Sequence, residues 1–426
     1  MDSIKKIISI ISKDIFFIRC ASDKYIISLP LRGIAFYSNK KGVNEFQKVL
    51  SGDYASINHE LKEYLIQLYN TPASPIPTKK PKDIFGPSIS IILHQMCNFE
   101  CSYCFAHEAR GKETLSKEDI SFIVDLWKKN TPEHKQITFI GGGEPTLNWD
   151  LLKWSILYIR KVLSKEGIII NLVTNGSLIS HERFLFLKKE KVNISLSFDI
   201  LPDVQESQRK YYNSKKSSFM AVDSFLKDTV TSDYSCEIRC TITPKIVDRM
   251  TEMVEYVHNN YPTVRRIHFE HVTSANNAPQ FFERYTDCFF KARAEGVKTG
   301  IHVFNSLTTS QGKIRSSFCI GTNCFVPTSE NGIICTSCHR VSSNNDLLID
   351  FFKDAEIINH GEIARFDAPH NKVRGIFKEC VSCPAKWQCA GGCLMERQLL
   401  TKKMIKEKCN MVRAFNKRLL EEFLNS

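Results

Sequence analysis

The sequence predicts an α/β protein in which a parallel sheet, closed or partly closed as a barrel, lies between a small N-terminal module and a cysteine-rich extension. Three observations carry that expectation. Strand-like and helix-like segments alternate from residue 88 to about 305, the pattern of a parallel sheet. Thr71–Pro87 holds five prolines in seventeen residues, a semi-extended linker (71–87) that separates residues 1–70 from the rest. Nine of the sixteen cysteines fall between Cys319 and Cys409, which sets 306–426 apart from the 88–305 region.

Composition bounds the function. With 426 residues, 42% of them hydrophobic and 24% charged, the chain is an ordinary globular protein with room for two or three domains. No apolar run approaches the roughly 18 residues of a membrane span. The lysine pair near Met1 precedes only a six-residue apolar stretch with no small-residue cleavage site, so no signal peptide is expected and the cytosol is the expected compartment. Cytosolic thiols stay reduced, so sixteen cysteines point to metal or iron–sulfur ligation rather than disulfides. The formal charge of +12 is compatible with an anionic ligand or an acidic partner. It is not gathered into a long basic block, and neither nucleic acid nor membrane is expected as a partner.

Taken in order, Phe16–Cys20 and Tyr25–Leu29 flank Ala21-Ser-Asp-Lys24 as a hairpin, and Ile34–Tyr37 adds a third strand. Asn44–Leu50 and Ile57–Tyr69 carry helical spacing, with Leu61, Tyr64, Leu65 and Leu68 on one face. Strands followed by helices in this span fit a winged-helix-like module. It either offers a strand edge to an extended peptide or caps the next domain. Beyond the linker, Ile89–Leu93 is a strand, and Ser116 caps an amphipathic helix that runs to Trp127. Strands are expected at Gln136–Ile140, Ile168–Val173, Asn193–Phe198, Cys236–Ile242 and Arg266–Phe269. Helices are expected at Asp150–Leu163 and at 181–190, 217–229, 246–259 and 279–295. Cys236 and Cys240 share a strand face with Ile238 and Ile242 and read as core packing, and the lone Cys20 and Cys288 as structural.

Ligands on such sheets sit at the C-terminal ends of the strands, where the chemical motifs of this chain fall. The first strand runs into Cys97-x3-Cys101-x2-Cys104. Three thiolates at this spacing can hold three irons of a four-iron cluster and leave the fourth open. Core cysteines or part of a zinc site are the alternatives. Gly141-Gly142-Gly143-Glu144-Pro145 follows the second strand, Thr174-Asn175-Gly176 the third, and Ser195-Leu-Ser197-Phe-Asp199 the fourth. Arg209 lies ten residues further on, with the side chain best suited to a carboxylate.

This ordered set resembles the radical S-adenosylmethionine (SAM) family across 88–305. The resemblance implies a partial, TIM-like (β/α)6 barrel, and a [4Fe-4S] cluster on Cys97, Cys101 and Cys104 whose open iron binds S-adenosyl-L-methionine. Gly142, Gly143 and Glu144 would hold the methionyl ammonium, Asn175 and Ser197 the ribose or carboxylate, and Arg209 the carboxylate, with Tyr103 behind the adenine. One departure is Ile200-Leu-Pro202 with Gln205, where relatives often carry Gly-Pro and a later histidine.

In the last third, Cys319-x4-Cys324, Cys335-x2-Cys338-His-Arg, Cys380-x2-Cys383-x5-Cys389-x3-Cys393 and Cys409 supply more thiols than one zinc needs and enough for two four-iron clusters. The pattern resembles the SPASM extension of peptide-modifying radical enzymes. That resemblance implies one auxiliary cluster on Cys319, Cys324, Cys338 and Cys393 and another on Cys380, Cys383, Cys389 and Cys409. Cys335 is the surplus thiol that could replace Cys338. The activity implied is modification of a ribosomally made precursor peptide, by a thioether, a carbon crosslink or a related radical change, with an external one-electron reductant. An anaerobic sulfatase-maturing enzyme making formylglycine is the alternative. It matches less well, because His339 follows Cys338 where that group has an aspartate. A non-enzymatic iron–sulfur protein is the third reading.

Overall fold

The first seventy residues fold around an apolar cluster of their own. In this computed structural model, which describes residues 2–425 apart from 55–56, 77–85, 108–109, 132–133, 165–166, 274–279, 316–317, 319–322, 328–331, 337–347, 354–355 and 361–377, helix α1 (Asp2–Ile11) opens the chain. Ile7, Ile8 and Ile11 of α1 are buried at helical spacing, an element the sequence reading passes over because only three turns carry the period. Strands β1 (Phe16–Arg19), β2 (Tyr25–Leu29) and β3 (Ile34–Ser38) form an antiparallel sheet in that order. Helices α2 (Lys40–Leu50) and α3 (His59–Asn70) follow. Each starts at an asparagine: Asn39 Oδ1 accepts from Gly42 N at 2.9 Å and Asn58 Oδ1 from Leu61 N at 2.7 Å, satisfying amides that no helical carbonyl can reach.

The second region alternates as expected. Its elements are β4 (Ser88–Ile91), β5 (Phe99–Cys101), α4 (Lys117–Asn130), β6 (Gln136–Phe139), α5 (Trp149–Val162), β7 (Ile169–Thr174), α6 (His181–Lys189) and β8 (Val192–Ser197). They continue through α7 (Pro202–Gln208), β9 (Arg209–Tyr211), α8 (Ser218–Thr231), β10 (Glu237–Ile242), α9 (Met250–Asn260), β11 (Arg266–His271), α10 (Phe281–Thr299) and β12 (His302–Phe304). Helix α4 begins with a capping box, in which Ser116 Oγ accepts from Asp119 N at 3.0 Å and the Asp119 carboxylate accepts from Ser116 N at 2.7 Å. Strands β4, β6, β7, β8, β10, β11 and β12 pair in parallel as a partial barrel. Alternate residues such as Ile137, Phe139, Ile170, Leu172 and Leu196 are fully buried in its core, as are Cys236 and Cys240 beside Ile238 and Ile242. Every strand therefore ends at the same mouth, and the motif loops meet there.

The extension builds directly on the barrel sheet. Strand β13 (Asn323–Pro327) pairs in parallel with β4, so β4 lies between β6 and β13. Strands β14 (Gly332–Thr336), β15 (Leu348–Lys353) and β16 (Glu356–His360) then add antiparallel. Short helices α11 (Lys378–Val381), α12 (Lys386–Cys389) and α13 (Leu394–Leu399) lead to the long α14 (Lys402–Asn425). Phe415 of α14 packs against Phe289 and Phe290 of α10, with ring centroids 5.0 and 5.1 Å apart. The N-terminal module rests on this extension: Trp387 Nε1 donates to the buried Asp14 carboxylate at 2.7 Å, and Tyr37 Oη donates to Asn425 Oδ1 at 3.1 Å. Among the described residues no helix is long and apolar enough to cross a membrane.

Candidate active site

Strand β4 delivers the three-cysteine loop to the mouth of the sheet, and the loop is pinned there by its own backbone. Strands β5 and β9 form a two-stranded antiparallel ribbon in which Cys101 lies opposite Arg209 and Phe99 opposite Tyr211. Ser102 N donates to Gln208 O at 2.9 Å and Tyr212 N to Asn98 O at 2.8 Å, extending the ribbon at both ends. Ribbon and sheet enclose a cavity of about 280 Å³. Cys97, Cys101, Cys104, Tyr103, Gly142, Gly143, Glu144, Asn175, Ser197 and Arg209 all line it, so residues spread over more than a hundred positions of sequence face one space.

Two polar braces fix the neighbouring loops. Glu144 is buried, and its carboxylate accepts from Thr146 Oγ1 (2.6 Å), Thr146 N (3.1 Å), Thr174 Oγ1 (2.6 Å) and Asn175 N (2.6 Å). Burial raises the Glu144 pKa, and those four bonds oppose the rise. Three of the four bonds fall on Oε1, so Oε2 is the oxygen with capacity left for a cationic group. Asn175 Nδ2 donates to Asn98 Oδ1 and Asn98 Nδ2 to Ser177 Oγ, both at 2.9 Å, while Ser177 Oγ donates back to Asn175 Oδ1 at 2.7 Å. That ring ties the cysteine loop to the Asn-Gly loop and commits the Asn175 amide to it.

Glycine is required in both of these neighbouring loops. Gly143 passes the Met96 carbonyl so closely that a Cβ would sit 1.7 Å from its oxygen. Gly176 has φ +75° and lies against Leu196.

The thiols are deeply placed. Burial pushes the Cys97 thiol up to about 12 and the Cys101 thiol up to about 11, with Arg110 pulling both back and Arg209 also pulling Cys101. Such groups hold their protons at neutral pH until a positive group displaces them. Among the described residues no three Cys, His, Asp or Glu side chains converge on one ion position. Three thiols on one cavity wall without that convergence suit a group several ångström across, and the donor set fits an iron–sulfur cluster.

A second group of thiols lies in the extension. Cys389 is pushed up to about 12 by burial and by the neighbouring Cys383 and Cys409 thiols. Cys383 N donates to Cys380 O at 3.3 Å. Cys393 stands at the start of α13. Cys324 and Cys335 are both buried on the β13–β14 pair, but on opposite faces: Cys335 lies opposite Phe325 in the main core, while Cys324 packs with Ile92 and Val326. Cys319 and Cys338 lie outside the described residues.

Several polar groups of the site are absent from the sequence-level candidates. Asp199, the fully buried end of the Ser-x-Asp motif, holds Arg209, with Arg209 Nε 3.1 Å from Oδ2. His268, Glu270 and His271 also line the cavity, with His268 Nε2 and Glu270 Oε2 3.0 Å apart and Ser306 N donating to the same oxygen at 3.1 Å. The available signal is period-two alternation on β11, which puts His268 and Glu270 on one face at the strand's C-terminal end.

Residues 91–257 match the sequence model of the Radical SAM superfamily. The chain is 28% identical over 128 residues to the "Radical SAM cyclopropyl synthase TigE" of Paramaledivibacter caminithermalis (26% of this chain, 27% of that one). It is 32% identical over 154 residues to a Brachyspira hyodysenteriae protein named "GTPase Obg" (33% and 22%), although it contains no G-x4-G-K-[ST] phosphate loop. The chain thus spans 27% and 22% of the length of these curated relatives. Its fold is that of "Native anSMEcpe with bound AdoMet and Cp18Cys peptide", with a TM-score of 0.64 and 18% identity over 79% of this chain and 98% of the other. The matched segment carries the thiol loop, the glycine turn, the Asn-Gly loop and Arg209 together, so this part of the chain, residues 91–257, is similar to the radical SAM superfamily, whose cofactors are a four-iron cluster and S-adenosylmethionine.

Proposed function

We propose that the chain modifies a ribosomally made peptide, using the barrel site together with two auxiliary clusters and an electron from an external reductant. The observation that carries this reading is the gathering of two separate thiol sets, one around the barrel cavity and one formed by Cys383, Cys389 and Cys409. When bound, the cluster and S-adenosylmethionine supply a 5′-deoxyadenosyl radical that removes a hydrogen atom from substrate.

The chain's own residues hold and orient these groups. Cys97, Cys101 and Cys104 bind three irons. Glu144 and the Gly142–Gly143 backbone would hold the methionyl ammonium, and Arg209 the carboxylate. Tyr103 would back the adenine, and Ser197 and Asn175 would border the ribose or carboxylate. In the extension, Cys380, Cys383, Cys389 and Cys409 hold one auxiliary cluster and Cys319, Cys324, Cys338 and Cys393 the other. Cys335, on the sheet face opposite Cys324, supports Cys338 as the ligand of the shared set.

A peptide substrate is supported by the N-terminal module. A cavity of about 420 Å³ lies beside its edge strand β3, bounded by Ile34, Ala35, Ile314, Trp387 and Leu420. An edge strand with an apolar hollow beside it suits an extended chain.

The test has two stages. Anaerobic reconstitution is expected to load about twelve irons per chain, and dithionite with S-adenosylmethionine to release 5′-deoxyadenosine. Co-expression with each short reading frame beside the gene, read by mass spectrometry, should then show a peptide that has lost two hydrogens. A single zinc with no deoxyadenosine would overturn the reading.

A further inference from the structure

The geometry points to Asp199 as the residue that positions the carboxylate-binding cation of this site. The inference rests on the radical SAM reading and adds a residue to it. Asp199 follows β8, is fully buried, and collects three donors and one cation from four parts of the barrel mouth. Its Oδ2 accepts from Tyr103 Oη at 2.6 Å and from Gln208 Nε2 at 2.9 Å, and lies 3.1 Å from Arg209 Nε. Its Oδ1 accepts from Thr241 N of β10 at 3.2 Å, and its own amide donates to Gln205 Oε1 at 2.9 Å.

Arg209 has little freedom under this arrangement. Its backbone pairs with Cys101, its guanidinium carbon lies 5.3 Å from the Tyr103 ring centroid, and its residue is 7% exposed. With Nε drawn to Asp199 as an ion pair, the two Nη groups are the donors nearest at hand for the cavity that Arg209 lines. Two parallel Nη donors match a carboxylate in a bidentate fork. A buried guanidinium without a counter-charge would be strongly disfavoured, so the aspartate both permits the charge and sets its direction. The Asp199–Arg209 pair is thus a preformed anion receptor on the strand that clamps Cys101, and Tyr103 links the same carboxylate to the cysteine loop.

This predicts an effect specific to the carboxylate. In reconstituted holoenzyme, equilibrium dialysis would measure the affinity for S-adenosyl-L-methionine and for its decarboxylated analogue. Asp199→Asn should weaken S-adenosylmethionine binding by about tenfold or more while leaving the decarboxylated analogue almost unchanged. Adding it to Arg209→Gln should cost nothing further. Tyr103→Phe, which keeps the ion pair, should give a smaller loss with the same selectivity, and it decides the matter if Asp199→Asn fails to take up iron. Equal weakening of both ligands, or no weakening in an iron-loaded variant, would refute the positioning role. Failure of the wild-type chain to bind either ligand would instead count against the radical SAM reading, and is thereby distinguishable.

Discussion

The two thiol regions are built differently. The barrel loop is braced by protein: a backbone ribbon, the Glu144 contacts and the Asn98–Asn175–Ser177 ring all hold it. Cys383 and Cys389 instead sit beside or on four-residue helices, of which α12 has no side-chain cap, and only Cys409 stands on the long α14. A four-residue helix has no intrinsic stability in water, so the geometry of the second set leans on packing and on whatever the thiols bind. On the proposed reading, the contrast gives the loop a shape that precedes its metal, and the extension a shape that depends on it.

Removing the ligands gives the largest expected effect. Replacing Cys97, Cys101 and Cys104 together by alanine should abolish 5′-deoxyadenosine release and lower iron from about twelve to about eight per chain, measured by colorimetric iron assay. Iron falling to zero would show that the extension cannot load without the loop. Next, stripping iron with a chelator should raise proteolytic cutting between 380 and 409 by about tenfold, with the 97–104 loop still protected. Equal cutting at both places, read by mass spectrometry of the fragments, would erase the contrast.

Asn98→Ala tests the braces themselves. It leaves the Asn175 amide and the Ser177 hydroxyl each short of a partner, and should lower stability to urea by roughly 1–3 kcal/mol. The smallest effect comes from a thiol outside both sets. Burial pushes Cys236 up to about 12, whereas the unfolded thiol ionises near its ordinary 9.0. Between those values the unfolded chain loses its proton first, so stability falls as pH rises through that window. Cys236→Ala should flatten the decline in urea midpoint between pH 8 and pH 10 by an amount worth about 1 kcal/mol.

Much of the barrel was legible because its signals are local. Apolar period two marks β6, β7, β8 and β10, and Ser116 announces α4 through a cap that needs only three residues of context. The cavity residues were legible for a related reason: their motifs lie at strand ends, and a parallel sheet sends all those ends to one mouth. The β5–β9 ribbon was not. It joins segments more than a hundred residues apart through backbone bonds, and three-residue strands carry no period. Asp199 escaped as a site residue because its importance comes from three donors and one cation on separate elements, and Glu270 because its partners His268 and Ser306 converge only after β11 and the segment behind β12 are set side by side. Helix α1 shows the opposite limit, a local period too short to stand out.

The pairing of β4 with β13 has a consequence for how the chain is made. Ile89 sits beside Asn323 and Ile91 beside Phe325, so the first strand of the barrel waits for a neighbour more than two hundred residues downstream. During synthesis that edge of β4 is bare while the strands from β6 to β12 emerge and pair, and closing so distant a contact is slow. The cysteine loop hangs from that edge, and Gln95 beside it donates to Pro327 O at 3.3 Å. The last brace on the loop is therefore added only when the C-terminal strands arrive, which leaves the half-made sheet the stage most exposed to misassociation.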